Sequence, residues 1–462
     1  MTIALYKSEK LKKEIKTMKS IRIGGGAGYG GDRIEPAVDL IKYGNLDYII
    51  FECLAERTIA LGQLQKLSDN TKGYNELLEY RMEKVLPLIK EKNIKVITNM
   101  GSANPISAMN VIKEMAKAMN ISNLKIAAVL GDDISNNIEK YLDNTVIETG
   151  DKLESITNII SANAYIGCKG IVEALENGAD IVVTGRVADP SLVLGPLIYE
   201  FKWNFTDNDL LGKGTLAGHL LECAAQVMGG YFVDPPYKEI KDLWNLGFPI
   251  GEVNEEGRIV ISKLEQAGGE VTVDTCKEQI LYEIQDPENY FTPDVVADFS
   301  KVSVRQIEKD KVLIEGARGK AATGLYKTSV GYKDCFIGEG EISYGGTGAY
   351  ERAKIAGEII RKRLEYIKLP IEELRIDYIG VNSLYGSSLK EKDSYDEVRL
   401  RVAARTLTKE DANVIGNEVE ALYTNGPAGG GGARKYVREI VSIASILIPA
   451  EDIKISVQYE EV

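Results

Sequence analysis

IRIGGGAGYGGDRIEP, residues 21–36, begins a pattern that organises the first half of the chain. In this pattern a short apolar run ends in glycine or acidic residues, and a helix-compatible stretch comes next. Similar runs occur at 48–51, 95–97, 125–130 and 181–183. Continuous apolar strands that alternate with helices are typical of a parallel sheet covered by helices. We therefore expect an α/β fold, with a largely parallel sheet flanked by helices.

The pattern changes after about residue 240, where turns rich in glycine and proline separate shorter alternating segments. The later elements read strand, helix, strand, strand, helix, strand, at 322–332, 350–366, 374–381, 397–403, 433–446 and 453–459. This order predicts a second, C-terminal α+β domain, with a split βαβ sheet as its simplest arrangement. With a boundary between 230 and 250, the predicted domains are 1–240 and 241–462.

The composition indicates a globular protein. Its 462 residues are 44% hydrophobic and 27% charged, which excludes a disordered chain. The formal net charge is −13, from 56 Lys+Arg against 69 Asp+Glu, and this acidic balance argues against a nucleic-acid partner.

We expect a cytoplasmic protein without a membrane segment. The five cysteines include no C-x-x-C pair, which fits a reducing compartment. Lysines occur at positions 7, 10, 12, 13, 16 and 19 without the apolar core of a secretory signal, so we expect the mature chain to start near Met1. The longest apolar run, 440–450, is shorter than the roughly 18 residues that span a bilayer.

The glycines at 24–31 are predicted to form a strand-to-helix turn that holds an anion. Backbone amides at Gly26 and Gly28 would approach a carboxylate or phosphate closely, because glycine lacks a side chain. The spacing Gly26-x-Gly28-x-x-Gly31 also matches a dinucleotide fingerprint, and Glu52 stands where such a site places its ribose-binding acid. A third interpretation is a tight turn that serves packing alone.

Arginines beside carboxylates follow three of the predicted strands. The pairs are Asp32 with Arg33, Glu56 with Arg57, and Arg186 with Asp189. Because the carboxyl ends of parallel strands meet along one edge, these loops are expected to converge on one cleft. A guanidinium offers a planar donor fork to an anionic substrate, while a neighbouring carboxylate can act as a base. The alternative is that each arginine forms a structural ion pair.

His219 is the only histidine of the chain. On a helix it shares a face with Glu222 and Cys223, an arrangement that suits a carboxylate-tuned proton shuttle or a partial metal site. A single histidine excludes a three-histidine zinc site within one chain. A structural histidine near a helix end is the alternative.

A second glycine-rich segment, 424–434, precedes the predicted helix 433–446. Gly429 and Gly430 would present amides at the positive end of that helix to a coenzyme A phosphate or a substrate carboxylate. The segment lacks the terminal residues of a Walker loop. A hinge is the alternative.

Several strings resemble, as a set, the acyclic terpene utilisation (AtuA-type) family. They are GDRIEPA (31–37), DY (47–48) with FECLAERT (51–58), TGRVADPS (184–191), GHLLEC (218–223) and TNGPAGGG (424–431). The resemblance runs from about residue 20 to the C-terminus. It implies a place in a pathway of citronellol and geraniol breakdown, which proceeds through branched acyl-CoA thioesters and biotin-dependent carboxylation. It transfers no catalytic residues.

Our first hypothesis is a catabolic enzyme that acts on an anionic branched carboxylate or its acyl-CoA thioester, by lyase- or hydratase-like proton transfer. The residues that would hold the anionic group are Arg33, Arg57 and Arg186. The residues that would move protons are Glu52, Glu56 or Asp189, assisted by His219.

Two other hypotheses stay open: a nicotinamide- or flavin-dependent oxidoreductase, and a non-catalytic subunit of an acyl-CoA carboxylase pathway. No metal site is predicted, although the acidic strand ends leave Mg²⁺ open. We expect a homo-oligomer, most simply with two-fold symmetry.

Overall fold

The structure is a computed structural model that describes residues 18–386 and 394–462. The lysines at positions 7, 10, 12, 13 and 16, on which part of the prediction for the N-terminus depends, lie outside the described residues. The chain divides into two compact units, the first running to Gly331 and adding Ile443–Val462, and the second comprising Tyr332–Ser442. Each unit contains a hydrophobic core of its own.

The helices of the described residues are, in chain order, α1 (Glu35–Tyr43), α2 (Glu56–Ser68), α3 (Leu78–Lys92), α4 (Pro105–Ala118), α5 (Lys169–Glu176), α6 (Ser191–Phe201), α7 (Asn208–Glu222), α8 (Val273–Leu281), α9 (Ala349–Tyr366) and α10 (Lys409–Asn425). None of the helices within this described part of the chain is both long and apolar enough to cross a membrane.

The strands are, in chain order, β1 (Ser20–Gly28), β2 (Tyr48–Glu52), β3 (Lys95–Thr98), β4 (Lys125–Leu130), β5 (Ile159–Ala164), β6 (Ile181–Thr184), β7 (Ile250–Asn254), β8 (Ile259–Ser262), β9 (Tyr290–Phe291), β10 (Val296–Asp298), β11 (Ser303–Glu308), β12 (Lys311–Glu315), β13 (Arg318–Lys320), β14 (Leu325–Gly345), β15 (Glu373–Ile379), β16 (Glu397–Thr406), β17 (Gly431–Pro449) and β18 (Ser456–Glu461).

The first unit is built on a ten-stranded sheet with the order β11-β12-β8-β7-β1-β2-β3-β6-β4-β18. All five apolar runs predicted as strands are found, as β1, β2, β3, β4 and β6. These five strands lie side by side and pair in parallel. Strand β2, with the sequence YIIFE, is buried along its whole length, as expected of a central strand covered on both faces.

The prediction of a largely parallel sheet is not confirmed. Strands β7, β8, β11 and β12 join one side of the parallel centre through antiparallel pairs, and β18 pairs antiparallel with β4 on the other side. The sheet is therefore mixed. The cause is that the chain after residue 240 returns as hairpins such as β7–β8 and β11–β12, which can only add antiparallel strands.

The prediction of a glycine turn at 24–31 is wrong for its first part, because β1 extends to Gly28. A Cβ atom at Gly26 would lie 2.8 Å from the Ile50 carbonyl oxygen, and one at Gly28 would lie 2.3 Å from the Cys223 carbonyl carbon. Both glycines permit close packing of neighbouring backbone against the strand, so the packing interpretation accounts for them.

The second unit contains the order strand, helix, strand, strand, helix, strand. Strands β14, β15, β16 and β17 lie in the sheet order β15-β16-β14-β17, with α9 and α10 between them along the chain. Strand β16 pairs antiparallel with both β14 and β15. The predicted split βαβ arrangement is thus present, but with different elements at its C-terminal end.

The helix predicted at 433–446 is wrong. This segment lies in strand β17, and the helix of this part of the chain, α10, comes before the glycines. Residues 437–448 are rich in isoleucine and valine, which favour strands because their branched side chains pack well on a pleated surface. The last predicted strand, at 453–459, overlaps β18, which belongs to the ten-stranded sheet.

The division into units differs from the predicted boundary near residue 240. Strands β7 and β8 follow that boundary, yet they pair into the sheet that contains β1. Residues 250–315 contribute strands to this sheet.

Candidate active site

The loops that follow β1, β2, β3 and β6 emerge at one edge of the sheet, because these strands run in parallel. A buried ionic cluster lies there. Its members are Glu52 at the end of β2, Arg186 and Asp189 after β6, and His219 and Glu222 on α7. We refer to these five residues as the buried ionic cluster.

Arg186 is the cation of this cluster, and its side chain is only 1% exposed. Its Nη1 atom donates to the Leu54 carbonyl at 2.7 Å, while Nη2 and Nε donate to the Val187 carbonyl at 2.7 and 3.1 Å. Nη2 also forms an ion pair with Asp189. Each guanidinium nitrogen therefore already has an oxygen partner within the protein. Arg186 would have to exchange Asp189 for a substrate anion in order to bind one.

Glu52 is buried close to Arg186. Its Oε1 atom accepts from the Leu54 amide at 2.8 Å and from Asn99 Nδ2 at 2.9 Å. Burial raises the pKa of Glu52, against the hydrogen bond from the Leu54 amide and the charge of Arg186, which lower it. The Glu52 carboxyl group therefore holds its proton more tightly than an exposed glutamate does.

Asp189 combines burial with access to solvent. Burial raises the pKa of its carboxyl group well above the usual range, although Arg186 opposes the shift, and the charges of Glu52 and Glu222 raise it further. At the same time 34% of the side chain is exposed. About a third of the side chain is thus open to solvent, although the carboxyl group is close to Arg186 and to other acids. Among the acids of the cluster, Asp189 is the most open to a small molecule.

His219 and Glu222 form a hydrogen-bonded pair one turn apart on α7, with 2.7 Å between Nδ1 and Oε1. Both side chains are buried. Within residues 18–386 and 394–462, the second nitrogen of His219 and the second carboxylate oxygen of Glu222 have no hydrogen-bond partner. The structure shows His219 and Glu222 together on the helix, whereas Cys223, which was predicted to share their face, follows the last helical residue. Two buried polar atoms of the pair remain without a partner in the described chain.

Glu56 lies beside the cluster at the start of α2. Burial alone would raise the pKa of Glu56, but the hydrogen bond from the Tyr165 hydroxyl and the charges of Lys327 and Arg186 lower it to about 2. Glu56 is therefore ionised throughout the neutral range, and it is a weaker proton acceptor than Glu52 or Asp189.

Arg33 and Arg57 do not share the cluster with Arg186. Both are exposed. Arg33 Nη1 donates to the Trp244 carbonyl at 3.3 Å.

The Asp32 carboxylate accepts from the backbone amides of Gly28 and Arg33, at 3.1 and 2.9 Å, which shapes the turn after β1. The predicted convergence thus holds for Glu52, Arg186 and Asp189 but not for the two exposed arginines.

Gly429 and Gly430 lie in the second unit, between α10 and β17. No helix begins after them, so the helix end that was expected to attract an anion is missing from this part of the described chain. A Cβ atom at Gly430 would lie 2.9 Å from Ile342 Cδ1, and Arg352 donates to the Ala428 carbonyl at 2.9 Å. The loop packs on its own unit.

Some residues beside the cluster were not among the predicted site residues. Asp132, after β4, accepts from the Arg186 amide and from Asn163 Nδ2, both at 2.9 Å, and burial raises its pKa to about 6. Asn99 donates to Glu52, and the Tyr165 ring lies 4.4 Å from the guanidinium carbon of Arg186. Asp132 and Asn99 lie two residues after the predicted strands 125–130 and 95–97, and that position is the signal that could have identified them. Tyr165 has no comparable signal.

The dinucleotide interpretation loses its structural basis, because Gly26 and Gly28 lie inside β1 and Glu52 is hydrogen-bonded to Asn99. As for metals, no three histidine, cysteine or acidic side chains in the described ranges 18–386 and 394–462 are arranged to hold an ion.

The fold and the cluster define a mixed α/β protein with a buried acid-rich site at the carboxyl ends of parallel strands. A family model described as acyclic terpene utilisation family protein AtuA matches residues 21–459, and the chain belongs to this family. Membership connects the chain with acyclic terpene utilisation. Neither a curated protein nor a solved structure matches the chain.

Proposed function

We propose that this chain is an enzyme that moves protons on a branched carboxylate or its coenzyme A thioester, in a lyase- or hydratase-like reaction. The observation that supports the proposal is an excess of acid in the buried ionic cluster. The charges of Glu52 and Glu222 act on Asp189, and Arg186 is the one arginine of the cluster. Such an excess favours a retained proton, because two uncompensated charges in a protein interior are costly.

A retained proton near neutral pH is what general acid–base catalysis needs. Groups that donate and accept protons at neutral pH are acids whose pKa burial has raised, and Glu52 and Asp189 both have this property. Neighbouring carboxyl groups that cannot all ionise also provide an acid and a base in one site. The Glu52–Asp189 pair therefore suits a reaction in which one proton is removed and another is delivered.

In the proposed reaction Asp189 contacts the substrate, because its side chain is the most exposed among the acids of the cluster. One ionised carboxylate of the pair takes the proton from the carbon next to the substrate carbonyl. The carboxylic acid of the other gives its proton to the departing hydroxyl oxygen, so that water leaves and a carbon–carbon double bond forms. Arg186 is a positioning residue that orients Asp189. The His219–Glu222 pair provides the next buried acceptor for a proton.

The substrate class rests on the family, whose name refers to acyclic terpenes. A thioester carbonyl acidifies the hydrogen on the neighbouring carbon, which makes its removal by a carboxylate feasible. An ionised carboxylate acidifies this hydrogen far less, so the thioester form of such a substrate fits the acid–base pair better than the free acid or the hydrocarbon does.

The test measures hydrogen exchange and water loss in D₂O. The full chain is incubated with a panel of branched and straight-chain 3-hydroxyacyl-CoA thioesters and the free acids, and mass spectrometry records both events. We expect at least one compound to react, and Asp189→Asn and Glu52→Gln to lower its rate by at least about 100-fold. The control is Asp151→Asn, which changes an exposed acid by the same substitution.

Unchanged rates in both variants would remove the acid–base pair from the mechanism. If compounds bind without exchange or water loss, the proposal fails, and the interpretation as a non-catalytic subunit of an acyl-CoA pathway takes its place.

A further inference from the structure

A cleft of about 420 Å³ opens beside the ends of β1, β2 and β3. A residue after each strand contributes to it, namely Gly30, Cys53 and Ser102, and α2 forms another wall. Leucine side chains line part of the cleft, namely Leu54, Leu61 and Leu77. The volume lies in the range of small-molecule sites, and the mixed lining suits a ligand with both an apolar and a polar end.

A buried arginine lies directly behind this cleft. Arg81, on α3, is 0% exposed. Its Nη1 atom lies 3.1 Å from Cys53 Sγ and 3.4 Å from Asn75 Oδ1, and its Nη2 atom lies 3.5 Å from the Tyr29 carbonyl oxygen. Cys53, Asn75 and Tyr29 all line the cleft. The guanidinium is thus separated from the cleft by a single layer of residues.

The charge of Arg81 has no anionic partner in the described chain. Nη2 also donates to the Asp32 backbone carbonyl at 3.0 Å, and no carboxylate of residues 18–386 or 394–462 lies within 4.0 Å to form an ion pair. Its Nε atom is buried without an acceptor among these residues. Fully buried arginines are rare unless they are paired, because an isolated charge loses its hydration.

Two acids beside Arg81 or the cleft are directed at other partners. The Asp32 carboxylate is directed at the amides of Gly28 and Arg33. Glu76, at the mouth of the cleft, is exposed and accepts from Gln65. The cleft therefore has a buried positive charge behind its inner wall.

We propose that this cleft binds the carboxylate end of a small organic acid, with Arg81 as the buried counter-charge and the leucines in contact with the apolar end. This site is distinct from the buried ionic cluster. The proposal does not depend on the proton-transfer function, and its test measures binding rather than turnover.

The test uses hexanoate and its neutral isostere hexanamide, titrated into the full chain by calorimetry. We expect hexanoate to bind with a Kd of at most about 5 mM and hexanamide to bind at least about tenfold more weakly, because only the acid carries the complementary charge. Equal binding of the two compounds, or no binding of hexanoate, would overturn the proposal.

Two variants of α2 locate the site. Leu61→Trp adds bulk inside the cleft and is expected to weaken hexanoate binding at least about tenfold. Leu67→Trp is the matched control, since Leu67 lies on the same helix, is 66% exposed and does not line the cleft. If both variants bind hexanoate as the unmodified chain does, the acid binds elsewhere and the assignment to this cleft is wrong.

Substitution of the arginine tests the charge itself. Arg81→Lys keeps the charge and should preserve binding within about threefold, whereas Arg81→Met should abolish the preference for hexanoate over hexanamide. Thermal unfolding shows whether each variant folds. If Arg81→Met does not fold, the two tryptophan variants decide. Retained preference in a folded Arg81→Met chain would contradict the proposal.

Discussion

Two groups of arginines and carboxylates in this protein differ in how their positive and negative charges are paired. On strand β16 of the second unit, Arg399, Arg401 and Arg405 are about a quarter to a third exposed, and each forms an ion pair with acids of neighbouring strands. Arg401, for example, contacts Glu339 and Asp377. In the buried ionic cluster of the first unit, a single arginine faces several acids.

The electrostatic consequences are opposite. Beside β16, burial alone would raise the pKa of Asp334 on β14, but the hydrogen bond and charge of Arg405 lower it. In the cluster, burial raises the pKa of Glu52 and Asp189 despite Arg186. Balanced, partly exposed pairs keep acids ionised and serve the fold. An unbalanced, buried group keeps a proton and is therefore the better candidate for chemistry.

The largest expected effect comes from removal of the buried cation. Arg186→Met leaves the acids of the cluster without their counter-charge and should lower the free energy of unfolding by about 3–5 kcal/mol at neutral pH. Urea unfolding measures this loss. The exposed Arg57 is the control, since Arg57→Met should change stability by less than about 0.5 kcal/mol. A loss below about 1 kcal/mol for Arg186→Met would show that the cluster is not electrostatically strained.

A smaller effect is expected from the pH dependence of Asp132, which lies beside Arg186. Its pKa is raised from 3.8 to about 6, so the folded chain binds the proton more tightly than the unfolded chain. The folding contribution of this group is therefore fully present below about pH 4 and is lost as the pH rises through about 6. Between about pH 4.5 and pH 7 the loss amounts to about 2 kcal/mol.

Asp132→Asn removes this titration. Urea unfolding at about pH 4.5 and pH 7 measures this effect. Between the lower and the higher pH, the free energy of unfolding of the variant should change by about 2 kcal/mol in the favourable direction relative to the change in the unmodified chain. Asp151→Asn, at an exposed acid, should leave the pH dependence of the free energy of unfolding unchanged. An unaltered pH dependence in Asp132→Asn would mean that Asp132 titrates normally.

The sequence was sufficient to predict the parallel centre of the first unit. Five apolar runs were expected as strands, and all five lie side by side, because each run is short, continuous and followed by polar residues. The antiparallel additions could not be read in the same way. Pairing of β7 with β1 joins residues more than two hundred positions apart, and no local pattern specifies such a contact.

Position at a strand end was an informative signal for the arrangement of the acids. Glu52 is the last residue of β2 and Asp189 lies in the loop after β6, and the direction of the strands brings both close to Arg186. A position after a strand was less informative for loop residues, since Arg33 and Arg57 also follow strands but are exposed. Arg81 had no signal, because it is an ordinary helical residue in sequence and becomes unusual only through its burial.

The helix predicted at 433–446 illustrates a different limit. Four consecutive glycines at 429–432 were interpreted as the entry to a helix, although the isoleucine and valine content of residues 437–448 favours a strand. Helix α10 before the glycines was not among the predicted elements. The glycines mark the end of an element here, and local sequence alone did not distinguish an end from a beginning.

The smallest expected effect is in the ion pairs around β16, at Asp334 of β14. Its lowered pKa means that its folding contribution is present above about pH 4, the unfolded pKa, and is lost as the pH falls through the lower folded value. Asp334→Asn should therefore lower stability by about 1 kcal/mol at neutral pH, a modest value because solvent screens the partly exposed Arg405. As the pH falls from neutral into the acidic range, the difference between the variant and the unmodified chain should shrink, which is the reverse of the trend at Asp132. Glu365→Gln, at an exposed acid of the same unit, should change stability at neither pH. An Asp334→Asn effect that grows on acidification would contradict the distinction between balanced and unbalanced ion pairs.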